Sequence, residues 1–519
     1  MQVFQRQLLI YTLFLLVIVT IASRSCNIRK VTSHGIDGFV CVCNATYCDT
    51  LDDFKVLPGQ VITYTSSAGG SRFRPARYDY HNNRLNDGPI ATIVINTTQE
   101  LQTIKGFGAA FTDAAGINLL KLVPAAQEKL LEAYFDPIKG IGYTIGRVPI
   151  GSTDFSTRIY SYDDVEKDFK LQNFKLADED FKLKIPIVKR AQKFASNLSL
   201  FGSPWSPPAW MKTAKTQQGK SGLIGDLDGP YYTSWALYFG KFLQEYERNN
   251  ISFWAITIQN EPSGCYSWQC LLLNGTQEAG FVRKHLRSTI DNAGFKNVQI
   301  IANDDARSEL LDVTHAFAKD RDAAKLIDGF GTHWYSIANF SLLVEAHDTF
   351  PDKFILPTEA CNGYQHGQHG AYLGSWVRGV KYAKDIIGNL NAWAVGWVDW
   401  NFCLDELGGP NWAGNVVDAP IITNNTEFYK QPMYYVLGHF SRFLSPGSVI
   451  VPSVVRNAEG VETASGVTPN GNTILVVLNN KNSTQPLKIV DVVAENEFVL
   501  KVEADSITTV VWKSSPKKM

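Results

Sequence analysis

The 519-residue chain has almost no net charge, with 49 Lys and Arg against 50 Asp and Glu. That balance gives no long-range field to draw in nucleic acid or an anionic membrane. The only basic run is the terminal KSSPKKM. Beyond its first segment the chain also lacks an uninterrupted apolar run of about 18 residues, so no later membrane span is expected and the mature protein should be soluble. Internal repeats and low-complexity linkers are missing too, which excludes solenoid architectures. Cysteine is scarce, at eight residues.

What is present begins at the N-terminus. Arg6 precedes a mostly apolar run from Leu8 to Ala22, and the polar SRSCN follows. The run suits a signal-peptide core and falls short of the roughly 20 residues of a membrane span. A signal peptide over residues 1–23 is expected, cleaved between Ala22 and Cys26. Export predicts oxidised cysteines, and Cys26, Cys41, Cys43 and Cys48 crowd into one short region. Two local disulfides are expected there, with Cys26–Cys41 and Cys43–Cys48 the preferred pairing of three. A zinc site is the rival reading, but Cys41-Val-Cys43 has one intervening residue rather than the usual two to four. Cys265, Cys270, Cys361 and Cys403 are scattered and read as buried thiols or site-lining residues. Glycosylation sequons begin at Asn44, Asn96, Asn197, Asn250, Asn274, Asn339, Asn424 and Asn482, which fits a eukaryotic secretory route.

A hydrophobic content of 45% and an aromatic content of 12% describe a well-packed globular chain, long enough for one large domain and one or two smaller ones. From about residue 100 to 400, eight strand-like runs alternate with amphipathic helical stretches. The runs are LQTIKGFG, YTIGRVPIG, LSLFGSPW, FWAITIQNEP, VQIIANDD, IDGFGTHWY, FILPTEA and NAWAVGWVDW. PAAQEKLLEAYF and TSWALYFGKFLQEYERN between them carry apolar positions at helical spacing. Eight such units predict an α/β fold, a (β/α)8 TIM barrel. Strand-length segments before and after it, such as VITYTSS and TILVVLNN, predict a flanking β-sandwich assembled from both ends of the chain. The CVCNATYC segment predicts a small disulfide-stapled β domain.

Barrel active sites sit where the strands end. Those ends offer Thr112 and Asp113, Arg147, Trp205, Asn260 with Glu261, Asp304 with Asp305, His333-Trp334-Tyr335, Glu359, and Asp399-Trp400-Asn401. Glu261 ends the fourth run, preceded by the amide of Asn260 and fixed by Pro262. Glu359 ends the seventh, so the two acids should face each other across the mouth. Opposed carboxyls are what glycoside hydrolysis needs, one protonating the leaving oxygen and the other attacking the anomeric carbon or directing water to it. Trp205, Tyr266, Trp268, Trp334, Tyr335 and Trp400 suit sugar-face stacking. Arg147 is the cationic partner expected for Glu359, and burial is expected to raise Glu261. His366-Gly-Gln-His369 lies in a glycine-rich loop without an adjacent acid and is not read as a metal site. Asp304-Asp305 is read as surface-facing or Arg-paired. No metal and no cofactor are expected.

The segments KGFGAAFTDAAG, SPWSPPAWMKT, WAITIQNEPS, TEACNG, GWVDWNF and GGPNWAGNVVDAPII, in this order, resemble the lysosomal glucosylceramidases of glycoside hydrolase family 30. The resemblance runs from Cys26 to the C-terminus. It implies a retaining β-glucosidase acting on glucosylceramide, with Glu261 as acid/base and Glu359 as nucleophile. It places Asn260 near the sugar 2-hydroxyl and Asp154, Trp205, Trp400 and Asn415 on the outer hydroxyls. Arg147 and Tyr335 would support the nucleophile, with His333, Tyr266 and Trp268 as further supporting residues. The family's domains would fall at 24–53 plus about 403–435 (disulfide domain), 54–100 plus about 448–515 (sandwich) and 101–402 plus about 436–447 (barrel). A saposin-type activator protein, anionic lipid, a targeting receptor and a lysosomal destination are implied as well. Trp268 stands where the family has phenylalanine, in a shortened loop, and Val416 where an aromatic is usual. Other β-glycosides, such as a β-xyloside or a β-1,6-glucan, and an inactive glycolipid-binding protein are the competing readings.

Overall fold

The computed structural model describes residues 24–52, 55–79, 91–264, 267–493 and 496–513. The expected signal peptide, Cys265 and Tyr266 lie outside the described residues. Eight parallel strands build the centre: Gly106–Ala110, Ile145–Ile150, Ser199–Pro204, Ala255–Thr257, Gln299–Ala306, Gly329–His333, Phe354–Glu359 and Gly396–Asn401. Each lies beside its sequence neighbour, and the eighth pairs with the first. A parallel bridge between Ile355 and Ala394 closes the barrel between the seventh and eighth strands. Nearly every residue of these strands is buried, which explains why they read as continuous apolar runs rather than alternating ones. The helix PAAQEKLLEAYF forms over Pro124–Phe135, with proline in its first turn, where no backbone donor is needed. The helix between the third and fourth strands runs Pro230–Arg248.

The fourth run departs from expectation. Its ladder ends at Thr257, and the chain then continues irregularly through bonds from Ile258 N to Ile301 O, Asn260 N to Pro204 O and Glu261 N to Asp304 O, at 2.9 to 3.0 Å. Glu261 itself adopts φ +43, in the left-handed region that non-glycine residues rarely occupy.

Two further sheets, of six and four strands, combine Gln60–Ser67, Arg74–Asp79 and Ala91–Ile95 with the C-terminal strands from Val449 to Lys513. Val61, Ile93, Leu475, Leu487, Val510 and Trp512 pack in one core between them. A five-stranded sheet joins Ile28–Ser33 and Ile36–Asn44 to Glu427–Lys430, Ile421–Asn424 and Leu404–Asp405. Disulfides Cys26–Cys41 and Cys43–Cys48 staple it. Cys270 is disulfide-bonded rather than a free thiol, whereas Cys361 and Cys403 are free and buried. Among the described residues no helix is long and apolar enough to cross a membrane.

Candidate active site

At the C-terminal end of the barrel lies a cavity of about 210 Å³. Asp154, Trp205, Asn260, Glu261, Trp268, Tyr335, Glu359, Trp400 and Asn415 line it, together with Cys361, Tyr364 and Val417. A carboxylate oxygen of Glu261 and one of Glu359 lie within 4.8 Å of each other. A space smaller than the roughly 300–1,000 Å³ of drug-sized pockets suits a single sugar ring.

Glu359 receives two donors: Arg147 Nη1, and the Tyr335 hydroxyl at 2.8 Å. Arg147 is fully buried, and its other amino group donates to Asp304 Oδ2 at 2.9 Å, Asn260 Oδ1 at 2.8 Å and Ser203 Oγ at 3.1 Å. Burial pulls its pKa down, but Asp304 and Glu359 outweigh that and leave it raised. The guanidinium also sits 4.8 Å from the Trp205 ring and 5.4 Å from Trp400. Those two indoles stack at 5.1 Å, so one cation fixes the Glu359 carboxylate, the Asn260 amide and an aromatic wall together.

Glu261 has a different environment. Burial raises its carboxyl to about 7, with His333 opposing and the Glu359 charge adding to the rise. His333 Nδ1 faces Glu261 Oε1 and its Nε2 faces Asp304 Oδ1, both at 3.1 Å. Burial would lower the imidazole, yet Glu359, Asp304 and Glu261 carry it to about 10, so both ring nitrogens donate. Asp304 is held far below the usual carboxylate range: Arg147, His333 and Ser203 outweigh its burial. A third carboxyl, Asp154, is raised to about 7 by burial and then by Glu359, while Asn415 Nδ2 donates to it at 2.8 Å.

Glu261, His333 and Glu359 cluster closely enough to hold a metal ion by distance alone. Both His333 nitrogens already donate to carboxylates, so no lone pair is free for a metal.

Several expected positions fall elsewhere. Trp334 faces a neighbouring groove and packs on Tyr382 at 5.1 Å, its indole nitrogen donating to Cys361 O. Thr112 caps the helix Asp113–Lys121 and donates to Asn401 Oδ1. Asp113 lies below the site, accepting from Ser156 and Tyr160, and Asp399 is buried against Tyr382. Asp304 and Asp305 are both buried rather than surface-facing; Asp304 takes the Arg-paired alternative, with Arg147, while Asp305 accepts from Ser263 N and Oγ. Val416, noted as a departure, is replaced at the cavity wall by Val417. The sequence reading missed Ser203, which donates to Asp304 at 2.5 Å, and Tyr364. Ser203 sits inside the strand Ser199–Pro204, where nothing in the pattern singles it out, and Tyr364 lies five residues past Glu359 in a loop with no pattern.

Residues 104–444 match the Glycosyl hydrolase family 30 TIM-barrel domain and residues 447–510 the family 30 beta sandwich domain. The chain is 40% identical over 471 residues to the lysosomal acid glucosylceramidase of Mus musculus, covering 88% of this chain and 90% of that one. It is 41% identical over 490 residues to putative glucosylceramidase 4 of Caenorhabditis elegans, covering 92% and 93%. The crystal structure of SrfJ from Salmonella typhimurium superposes with a TM-score of 0.81 at 28% identity, covering 88% of this chain and all of that one.

Proposed function

The chain belongs to glycosyl hydrolase family 30, and from that premise we propose that it is a retaining β-glucosidase that hydrolyses glucosylceramide to glucose and ceramide. The observation that carries this reading is the pair Glu261 and Glu359. An oxygen of each lies within 4.8 Å of one of the other, which fits the roughly 5–5.5 Å carboxyl spacing of retaining enzymes better than the roughly 6.5–9.5 Å of inverting ones.

In this reading glucose fills the cavity against the Trp205 and Trp400 wall, with Asn260, Asp154 and Asn415 on its hydroxyls. Glu261, which carries a proton below about pH 7, gives it to the glycosidic oxygen as the bond to ceramide breaks. Glu359, oriented by Arg147 and Tyr335, bonds to the anomeric carbon and forms a glycosyl-enzyme. Glu261 then takes a proton from water as that water displaces Glu359. The three-part domain division belongs to the same reading. So do a saposin-type activator and anionic lipid at a membrane, which would present the ceramide, and a lysosomal destination through a targeting receptor.

A 2-deoxy-2-fluoroglucoside label followed by peptide mass spectrometry tests the core of it. Label on the peptide containing Glu359 is expected; label elsewhere, or none, overturns the assignment. Initial rates on aryl β-xylosides and β-1,6-glucan beside aryl β-glucosides separate the related specificities.

A further inference from the structure

Away from the active site, a cleft of about 1030 Å³ opens where the small disulfide-bonded sheet, the sandwich and a barrel loop meet. Three arginines on its walls, Arg24, Arg72 and Arg77, make no ion pair among the described residues. The remaining cations there are already matched: Arg74 pairs with Glu503, and Lys139 with Glu132 at 2.8 Å. Of the two carboxylates in the wall, Asp49 is satisfied by Lys430 at 2.7 Å and the Tyr435 hydroxyl, which leaves Asp52 as the one unpaired acid there among the described residues.

Arg72 is the telling member. Its amino groups donate to the carbonyls of Ser67, Ser71 and Phe39 at 2.7 to 2.9 Å, and its guanidinium lies 5.5 Å from the Tyr435 ring. Its Nε meets no acceptor. Burial pulls it down to about 10, with only Tyr435 and Asp49 opposing. A half-buried guanidinium held by carbonyls and ring faces, with its Nε sealed from water, is costly unless an anion completes it. In a chain with a net charge of −1, three arginines without an ion pair among the described residues, against the single carboxylate of Asp52, are a local feature and not a general basicity.

We infer that this three-way junction is a binding site for an oxyanion, a phosphate or sulfate ester, distinct from the catalytic cavity. Guanidinium forks match such groups in geometry as well as charge. A ligand here touches residues of all three parts of the fold, so occupancy stabilises the native state by mass action.

The test is thermal unfolding of the secreted, processed protein titrated with pyrophosphate at constant ionic strength. A saturable rise in Tm, with an apparent Kd of about 1 mM or tighter, is expected. Replacing Arg24 and Arg77 together with serine, both exposed and remote from the catalytic cavity, should weaken that binding about tenfold or more, with aryl glucoside turnover unchanged. A shift that never saturates, or that survives unchanged in the double variant, overturns the proposal. Vesicles of phosphatidylserine and phosphatidylcholine distinguish the source. Vesicle binding displaced by pyrophosphate identifies a lipid headgroup, and its absence beside a saturable pyrophosphate shift identifies a soluble ester.

Discussion

Glu261 and Glu359 are the same residue type within 4.8 Å of each other, and their neighbours make them different. Glu359 is met by a guanidinium and a phenol, whereas Glu261, half-buried, faces one imidazolium and is raised to about 7. Glu261→Gln should therefore cost about 10²–10⁴ in kcat/KM for glucosides with poor leaving groups, and far less for dinitrophenyl glucoside, whose departure needs no proton. Equal losses across leaving groups would sink the acid role. His333 lowers Glu261 by its hydrogen bond and its charge. With His333→Gln the alkaline limb of kcat/KM, set by loss of the Glu261 proton, should move to higher pH. A lower kcat with an unmoved limb would mean that His333 only shapes the pocket.

At the level of elements, the eight barrel runs were legible because each is an apolar stretch bounded by turns and followed by a helical period. The acids were legible because a carboxylate at the end of such a run has no packing reason to be there. Less visible was the way Glu261 is mounted: the fourth ladder stops at Thr257, and a bond to Asp304 O and a left-handed backbone carry the chain on. Backbone irregularity of this kind leaves no periodic trace. Trp334 was misplaced because side chains alternate in direction along the strand end, so His333 and Tyr335 point to the site while Trp334 turns away. Arg pairing was one of the two readings open for Asp304 and it holds, but the partners themselves were not legible because Arg147 and His333 lie 157 and 29 residues away in sequence. Strand packing also makes a prediction. A Cβ on Gly108, in the first barrel strand, would lie 1.9 Å from Ile145 O of the second, a backbone collision that no rotamer relieves. Gly108→Ala should abolish secretion of folded protein. Gly222→Ala, whose Cβ would meet only Leu272 O at an ordinary 3.6 Å, should secrete normally. Equal yields of the two would contradict the barrel register.

Across the whole molecule, buried titratable groups set a pH window for stability. Glu261 and Asp154 sit at about 7 in the fold against ordinary values of 4.5 and 3.8. The native state thus holds protons that the unfolded chain has released, and the stabilisation, complete below those ordinary values, drains away as pH climbs to 7. His333, at about 10 against 6.5, behaves likewise from 6.5 upward. Two groups work in the opposite direction. Asp304 is depressed, so its contribution stands above 3.8 and is lost at lower pH. His439, buried between Thr509 and Ser66 and lowered to about 3, costs stability as pH falls from 6.5. At roughly 1.4 kcal/mol per pH unit for each group, the rise from pH 5 to 7.5 removes about 3 kcal/mol each through Glu261 and Asp154 and about 1 kcal/mol through His333. It restores about 2 kcal/mol through His439, so the loss wins by several kcal/mol even after the coupling among the site carboxyls is discounted. Thermal unfolding should accordingly give a Tm several degrees higher at pH 5 than at pH 7.5, falling again below about pH 4. Glu261→Gln with Asp154→Asn should flatten the neutral side of that curve, because neutral amides have no proton to lose. A wild-type Tm that rises from pH 5 to 7.5 would show that His439 outweighs the active-site carboxyls and would remove the structural basis for an acidic working compartment.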